Sequence, residues 1–239
     1  MRLIRSCVSV VFFIAFALGG LLFSGLVLPF VRSREAAHAC VRWLWQTILK
    51  GFEITRLAKV SINLPPEGIR GCVLVANHPS LVDVVVLTAL IPRTYSVAKR
   101  SLRRNPCMGY IIRRTFLHDD VALFKEAPPL LAAGANILIF PEGTRSPDNR
   151  TVRAFHRGSA QLALRARVPV VPVILDYSCH VLGKHQAITD MGAKPVQIRV
   201  MVGSPQLPPE TEPDRFHAVA ARWTVSLRNT IVAALPPAQ

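Results

Sequence analysis

Between Cys7 and Val31 the chain reads CVSVVFFIAFALGGLLFSGLVLPFV without a single charge. At about 1.5 Å per residue such a helix is long enough to cross a hydrocarbon core of about 30 Å. Few destinations suit so apolar a run: a membrane helix, or a signal peptide removed after export. Arg2 and Arg5 precede it, and Arg32 and Arg34 follow. The run is long for a signal peptide, and the nearest small-residue cleavage pattern, Ala36-Ala37-His38-Ala39, lies beyond three charges. A membrane anchor is therefore expected. Basic flanks on both sides leave its orientation open, and Gly19-Gly20 with Pro29 permits a bent, shallowly inserted hairpin instead of a straight span. The following stretch, Val41 to Lys59, spaces Val41, Trp43, Leu44, Trp45, Ile48, Leu49 and Phe52 among Arg42, Lys50, Arg56 and Lys59. That spacing predicts an amphipathic helix, its apolar side facing either a lipid interface or the protein's own core.

Charge narrows the partners. The 239 residues carry a formal net charge of +15 with a pI near 10.8, which favours anionic surfaces or ligands. Lys99, Arg100, Arg103, Arg104, Arg113 and Arg114 form a patch without an acidic residue until Asp119. It reads either as a solvated helix face or as a site for phosphate groups or a membrane surface. Nucleic acid is not an expected partner: zinc-finger spacing, ribonucleoprotein aromatics and a basic-plus-heptad helix are all missing. The five cysteines are scattered at 7, 40, 72, 107 and 179, with no Cys-x-x-Cys pair and no Cys/His cluster at metal-ligand spacing. A reduced compartment with free thiols and no metal site is the expectation.

Beyond residue 60 short apolar runs alternate with longer helical patterns. Strands are predicted near 58–63, 72–76, 94–98, 136–140, 170–175 and 196–202. Helices are predicted near 80–90, 101–114, 121–133, 156–167 and 213–234. This alternation predicts an α/β domain with a largely parallel sheet covered by helices. The chain divides into an N-terminal transmembrane anchor and amphipathic helix, 1–59, and a second domain, 60–239.

Two strand ends carry the chemistry. Cys72-Val73-Leu74-Val75-Ala76 is a buried-strand pattern with Asn77-His78 at its C-terminal end, the edge where open α/β sheets bind ligands. Pro79 disfavours helical geometry at His78 and suits the start of a helix. Were His78 and Asp83 in one helix, five steps of about 100° would leave them roughly 140° apart. With a turn between strand and helix, the imidazole can fold back on the carboxylate. A carboxylate on one ring nitrogen fixes the tautomer and leaves the other nitrogen as a general base. A G-x-S-x-G nucleophile elbow is absent, so a direct mechanism is favoured in which His78 deprotonates an attacking hydroxyl. Alone, a histidine near an aspartate is equally a structural pair.

The second strand end is Ala135-Asn136-Ile137-Leu138-Ile139-Phe140 followed by Pro141-Glu142-Gly143-Thr144-Arg145-Ser146. Gly143 lets backbone approach a ligand closely, and Arg145 offers a planar fork for phosphate or carboxylate. Glu142 either orients Arg145 or meets the acceptor. A plain turn with a Glu–Arg pair would read the same way.

Together, N-H-x-x-x-x-D after one strand and F-P-E-G-T-R-S after a later one resemble the lysophospholipid acyltransferase family, of 1-acylglycerol-3-phosphate acyltransferase or PlsC type. The resemblance covers roughly residues 60–205. It implies a glycerolipid-acyltransferase fold, with His78 and Asp83 as the catalytic pair. Glu142, Gly143, Thr144 and Arg145 map onto the family's acceptor-binding segment, and Lys99 sits where members often carry a lysine. The implied reaction moves an acyl group from acyl-CoA or acyl carrier protein to a hydroxyl of a lysophospholipid-like acceptor. The donor is a substrate, and no metal or redox cofactor is implied. The N-terminal helix resembles that of many bacterial members, implying the inner membrane with the catalytic domain on the cytoplasmic side.

One segment departs from the family. Where members carry Phe-x-x-Arg, whose arginine helps bind the acceptor phosphate, this chain reads Thr115-Phe116-Leu117-His118-Asp119-Asp120. An acidic pair there repels phosphate unless it points away. It resembles a branch found with bacterial aryl-polyene and similar polyketide pathways. The alternatives are thus a specialised lipid or polyene acceptor with a carrier-protein donor, a thioesterase, or an inactive lipid-binding module.

Overall fold

The computed structural model describes residues 2–65 and 67–236; the Arg2 side chain, Pro66 and the last three residues of the 60–239 span lie outside the described residues. Seven strands form one sheet: β1 (Ala58–Asn63), β2 (Val73–Ala76), β3 (Thr94–Ala98), β4 (Leu117–His118), β5 (Asn136–Ile139), β6 (Val170–Tyr177) and β7 (Val196–Val202). Their order is β1-β7-β6-β2-β5-β3-β4. Every neighbouring pair is parallel except β6 with β7. Five adjacent strands, β6, β2, β5, β3 and β4, therefore end on the same edge.

Both faces of the sheet are covered, which is why its strands read as unbroken apolar runs. Alternate residues serve opposite layers. Leu74 and Ala76 of β2, with Leu138 of β5, pack beneath α2 (Arg34–Ile54) and α3 (Asp83–Leu90). Val73, Val75 and Ile137 face α5 (Leu123–Ala132), α6 (Gly158–Ala166) and α7 (Phe216–Ala234).

The predicted helix over 101–114 is two elements, a 3-10 turn at Arg100–Arg104 and α4 at Gly109–Thr115. Pro106 explains the break. It has no N–H and holds Asn105 extended (φ −63°, ψ 126°), while the Asn105 side chain accepts from the Cys107 and Met108 amides to restart the chain. β4 follows α4 and was not predicted; two residues are too short to show a period.

The apolar run forms α1 (Arg2–Leu26), and the stretch Leu3–Phe30 is long and apolar enough to cross a membrane. It lies lengthwise on the domain. Arg5 donates to the carbonyls of Arg56, Leu57, Gly192 and Lys194; Ser6 and Ser9 donate to Thr189 and Ile188. At the other end Arg114 donates to the Val31 carbonyl. Between them Phe12 stacks on Phe52 at 4.7 Å and Phe16 on Trp45 at 6.1 Å. Gly51 makes this crossing possible, since a Cβ there would sit 2.7 Å from the Phe12 ring. The opposite face, including Val11, Ile14, Leu18, Leu21, Leu22 and Leu26, is exposed.

Of the two faces predicted for the next helix, the core-facing one prevails for Trp45, Leu49 and Phe52, whereas Trp43 is 64% exposed. A boundary at 59/60 falls inside β1, and α2 shares its core with β2 and β5. Residues 34–57 are thus an integral layer of the α/β unit.

Candidate active site

His78 leaves β2 at its C-terminal end, and Asp83 opens α3 five residues later. The intervening turn folds the imidazole onto the carboxylate, with His78 Nδ1 2.8 Å from Asp83 Oδ2. Asp83 is fully buried. Its Oδ2 also accepts from the Ser80 amide at 2.8 Å, and Oδ1 accepts from the Tyr177 hydroxyl. Three donors thus converge on a carboxylate shut away from water, as a buried negative charge requires. Since Asp83 accepts, Nδ1 carries the proton and Nε2 presents its lone pair. The His78 side chain is 18% exposed, its ring stacked on Phe140 at 4.2 Å.

The turn after β5 faces this pair but divides its labour differently from the sequence expectation. Glu142 is 4% exposed, and its carboxylate accepts from the His78 amide (3.0 Å), the Ser146 hydroxyl (2.8 and 2.9 Å) and the Arg153 amide (2.9 Å). All three donors lie within the protein and none is Arg145, so the largely buried Glu142 carboxylate ties His78 to its own turn. The Ser146 amide, donating to the His78 carbonyl at 2.7 Å, closes the clamp. Gly143 has φ +65°, and a Cβ there would lie 3.1 Å from the His156 ring. Thr144 is half-buried beside it, with no side-chain hydrogen bond among the described residues.

Arg145 donates through Nη1 to the carbonyls of Leu182 and Gly183, each at 2.8 Å. Leu182, held at φ 54°, also accepts from the Leu81 amide beside the His78 turn. One loop therefore joins Arg145 to the His78 turn, and the same loop further on supplies the carbonyls held by Arg5, Ser6 and Ser9. Burial lowers the Arg145 pKa and the nearby Asp83 charge works against that; a guanidinium stays charged at neutral pH.

Lys99 stands exposed at the end of β3, on the edge shared with His78. The acidic pair follows β4 on that edge and turns towards Arg100: Asp119 accepts from its amide at 3.1 Å, and Asp120 lies 3.4 Å from its Nη1. The pair does not stand alone against an incoming anion.

Two further residues complete the site: Tyr177, which no local motif marks, and Asn77, which opens the N-H-x-x-x-x-D run. Tyr177 lies at the far end of β6, 94 positions from Asp83, and burial, then the Asp83 charge, pushes its phenol well above the ordinary value. It remains a donor. Asn77, 2% exposed, exchanges two hydrogen bonds with the Leu175 backbone (2.9 and 2.8 Å), fastening the His78 turn to β6. Neither Ser80 nor Cys72 is poised as a nucleophile. Ser80 is fully buried, and burial pushes the Cys72 thiol up to about 12.

This arrangement has relatives. A family model described as Acyltransferase matches residues 58–176, from the start of β1 to one residue short of the end of β6. A 1-acyl-sn-glycerol-3-phosphate acyltransferase of Chlamydomonas reinhardtii is 30% identical over 224 residues, 89% of this chain and 62% of its own length. A chloroplastic one from Brassica napus is 32% identical over 158 residues, 62% of this chain and 45% of its own length. The chain therefore spans less than two thirds of these relatives. The crystal structure of the 1-acyl-sn-glycerophosphate acyltransferase PlsC of Thermotoga maritima superimposes with a TM-score of 0.69 at 25% identity, covering 95% of this chain and 98% of that one. Matched along nearly its whole length by that structure and over 58–176 by the family model, the chain belongs to the acyltransferase family, its relatives here being of the 1-acylglycerol-3-phosphate acyltransferase, PlsC, type.

Proposed function

We propose that this chain transfers a fatty acyl group from an acyl thioester, acyl-CoA or acyl carrier protein, to a hydroxyl of a lysophospholipid-like acceptor of the 1-acylglycerol-3-phosphate type, a step of phospholipid biosynthesis. One observation carries the reading: His78 Nδ1 is locked to a buried Asp83, while the side chain is 18% exposed and its other ring nitrogen has no hydrogen-bond partner among the described residues. Nε2 takes the acceptor's hydroxyl proton as its oxygen attacks the thioester carbonyl. The tetrahedral intermediate collapses by breaking the C–S bond, and the departing thiolate takes the proton from His78. Asp83 stabilises the imidazolium in between.

Arg145 supports acceptor binding through its remaining N–H groups, beside the Gly143 turn. Lys99 and its basic neighbours suit the phosphates of coenzyme A or the acidic surface of a carrier protein. A second reading, a specialised lipid or polyene acceptor, rests on a single observation, Asp119 and Asp120 on the same edge, and their turn towards Arg100 weakens it. For localisation we propose the cytoplasmic face of a bacterial inner membrane. The free cysteines suit a reducing compartment. Because both ends of α1 are bound to the domain, its exposed face would enter one leaflet in plane rather than cross. The test is purified protein in detergent, offered both donors with a panel of lysophospholipid and non-phosphate alcohols, products read by mass spectrometry. An acylated lysophosphatidate supports the reading. Acylation of non-phosphate alcohols alone would replace the acceptor, and acyl release without transfer would replace the reaction by hydrolysis.

A further inference from the structure

Asp83 Oδ2 serves His78 and Ser80, whereas Oδ1 accepts from the Tyr177 hydroxyl. Tyr177 is 1% exposed and reaches this point because β6 runs four residues past its last register with β2, Ala76 opposite Val173. The last three residues of that overhang are each held from outside the β6–β7 ladder. Asn77 bonds both backbone groups of Leu175. Asp176, 1% exposed, is held by Arg150 at 2.6 Å and Arg199 at 2.7 Å. Asn149 donates to the Tyr177 carbonyl at 2.8 Å, and Tyr177 is in register with Ile198 of β7. A core tyrosine in search of a partner for its hydroxyl needs none of this.

We propose that Tyr177 is a positioning residue for the His78–Asp83 pair, its hydroxyl fixing the Asp83 carboxylate and setting how strongly that carboxylate draws on the His78 imidazolium. The donated hydrogen bond draws charge from the carboxylate. It also keeps Oδ2 directed at Nδ1, so the imidazole's open nitrogen stays aimed at the edge. The other ionisable groups facing the pair are Glu142 and Arg145, both from the turn after β5. Tyr177 acts in this way only if His78 is the base, the reading proposed above.

The experiment compares the parent, Tyr177→Phe and His78→Ala in detergent, with thermal unfolding beside turnover from pH 5 to 9. In Tyr177→Phe, kcat falls about tenfold, part of the roughly 10²–10⁴ a positioned base supplies, while KM for the acceptor stays within about twofold. Without the donor the carboxylate holds the imidazolium more tightly, so the acid limb of kcat/KM moves up by about half a unit. A purely structural tyrosine leaves that limb in place. If His78→Ala is inactive and Tyr177→Phe keeps the parent's acid limb, whether or not kcat falls, the positioning role is overturned and His78 stands. If His78→Ala turns over like the parent, the base assignment itself falls and takes Tyr177's role with it.

Discussion

Replacing Glu142 by glutamine changes one oxygen to an amide and leaves shape and volume almost untouched. The carboxylate accepts from two backbone amides, those of His78 and Arg153, on its two oxygens, and the Ser146 hydroxyl lies within reach of both. Whichever way the new amide turns, its NH₂ group meets one of those backbone donors. A hydroxyl can rotate to accept; a backbone N–H cannot. One part-buried donor is therefore left without its partner, at about 1–3 kcal/mol, and the surviving bonds weaken from charge-assisted to neutral, about 1 kcal/mol more. The sum is about 2–4 kcal/mol. For a chain of this size that corresponds to a melting point lower by roughly 5–15 °C. The assay is thermal unfolding by circular dichroism in detergent, paired with steady-state kinetics. We expect the melting point to fall by that amount and kcat to fall as the His78 turn loosens, with the acceptor KM within about twofold. An acceptor KM raised tenfold with an unchanged melting point would refute this reasoning and put Glu142 in contact with substrate.

Gly143→Ala forces a side chain into φ +65° beside His156, costing about 1–2 kcal/mol from the left-handed backbone alone; adding His156→Ala should recover only the steric share, read from urea midpoints in a double-mutant cycle. Leu18→Glu with Leu22→Glu alters the exposed face of α1. Each buried leucine is worth about 1.5–3 kcal/mol, so vesicle flotation should weaken at least tenfold, and unchanged flotation would remove this face from the membrane. His38, whose Nε2 lies 2.7 Å from the Thr94 carbonyl, has its pKa lowered by burial, with Arg42 and Arg34 acting the same way. The unfolded chain then binds the proton first. Stability is fully present above the ordinary histidine value of 6.5 and declines as pH falls below it; His38→Gln should flatten that decline in urea titrations across pH 5–8.

Much of the fold was legible because its signals are local. Buried parallel strands read as runs such as Val73–Ala76 and Asn136–Ile139, each ending in a polar turn. His78 and Asp83 were legible for the same reason: a proline separates strand from helix, and five residues close the pair. What stayed hidden depends on distant segments. Tyr177 lies 94 residues from Asp83, and no spacing rule links them. The resemblance places Glu142 in the acceptor-binding segment; the tertiary clamp by which its carboxylate holds the His78 amide has no local signal in the sequence. Pro106 marks the break in the predicted 101–114 helix, and that signal is visible in the sequence itself. Likewise, hydropathy marks α1 as membrane-compatible but does not reveal that Arg5 and Ser9 fasten it along the domain.

The central claim is that His78 is the base for acyl transfer. Its most direct test is a single-turnover reaction with labelled acyl donor and excess lipid alcohol, comparing the parent with His78→Ala of equal melting point. The expected result is one free thiol per acylated product in the parent, and transfer slowed at least 10²-fold in the variant. Transfer at the parent rate by a folded His78→Ala protein would contradict it.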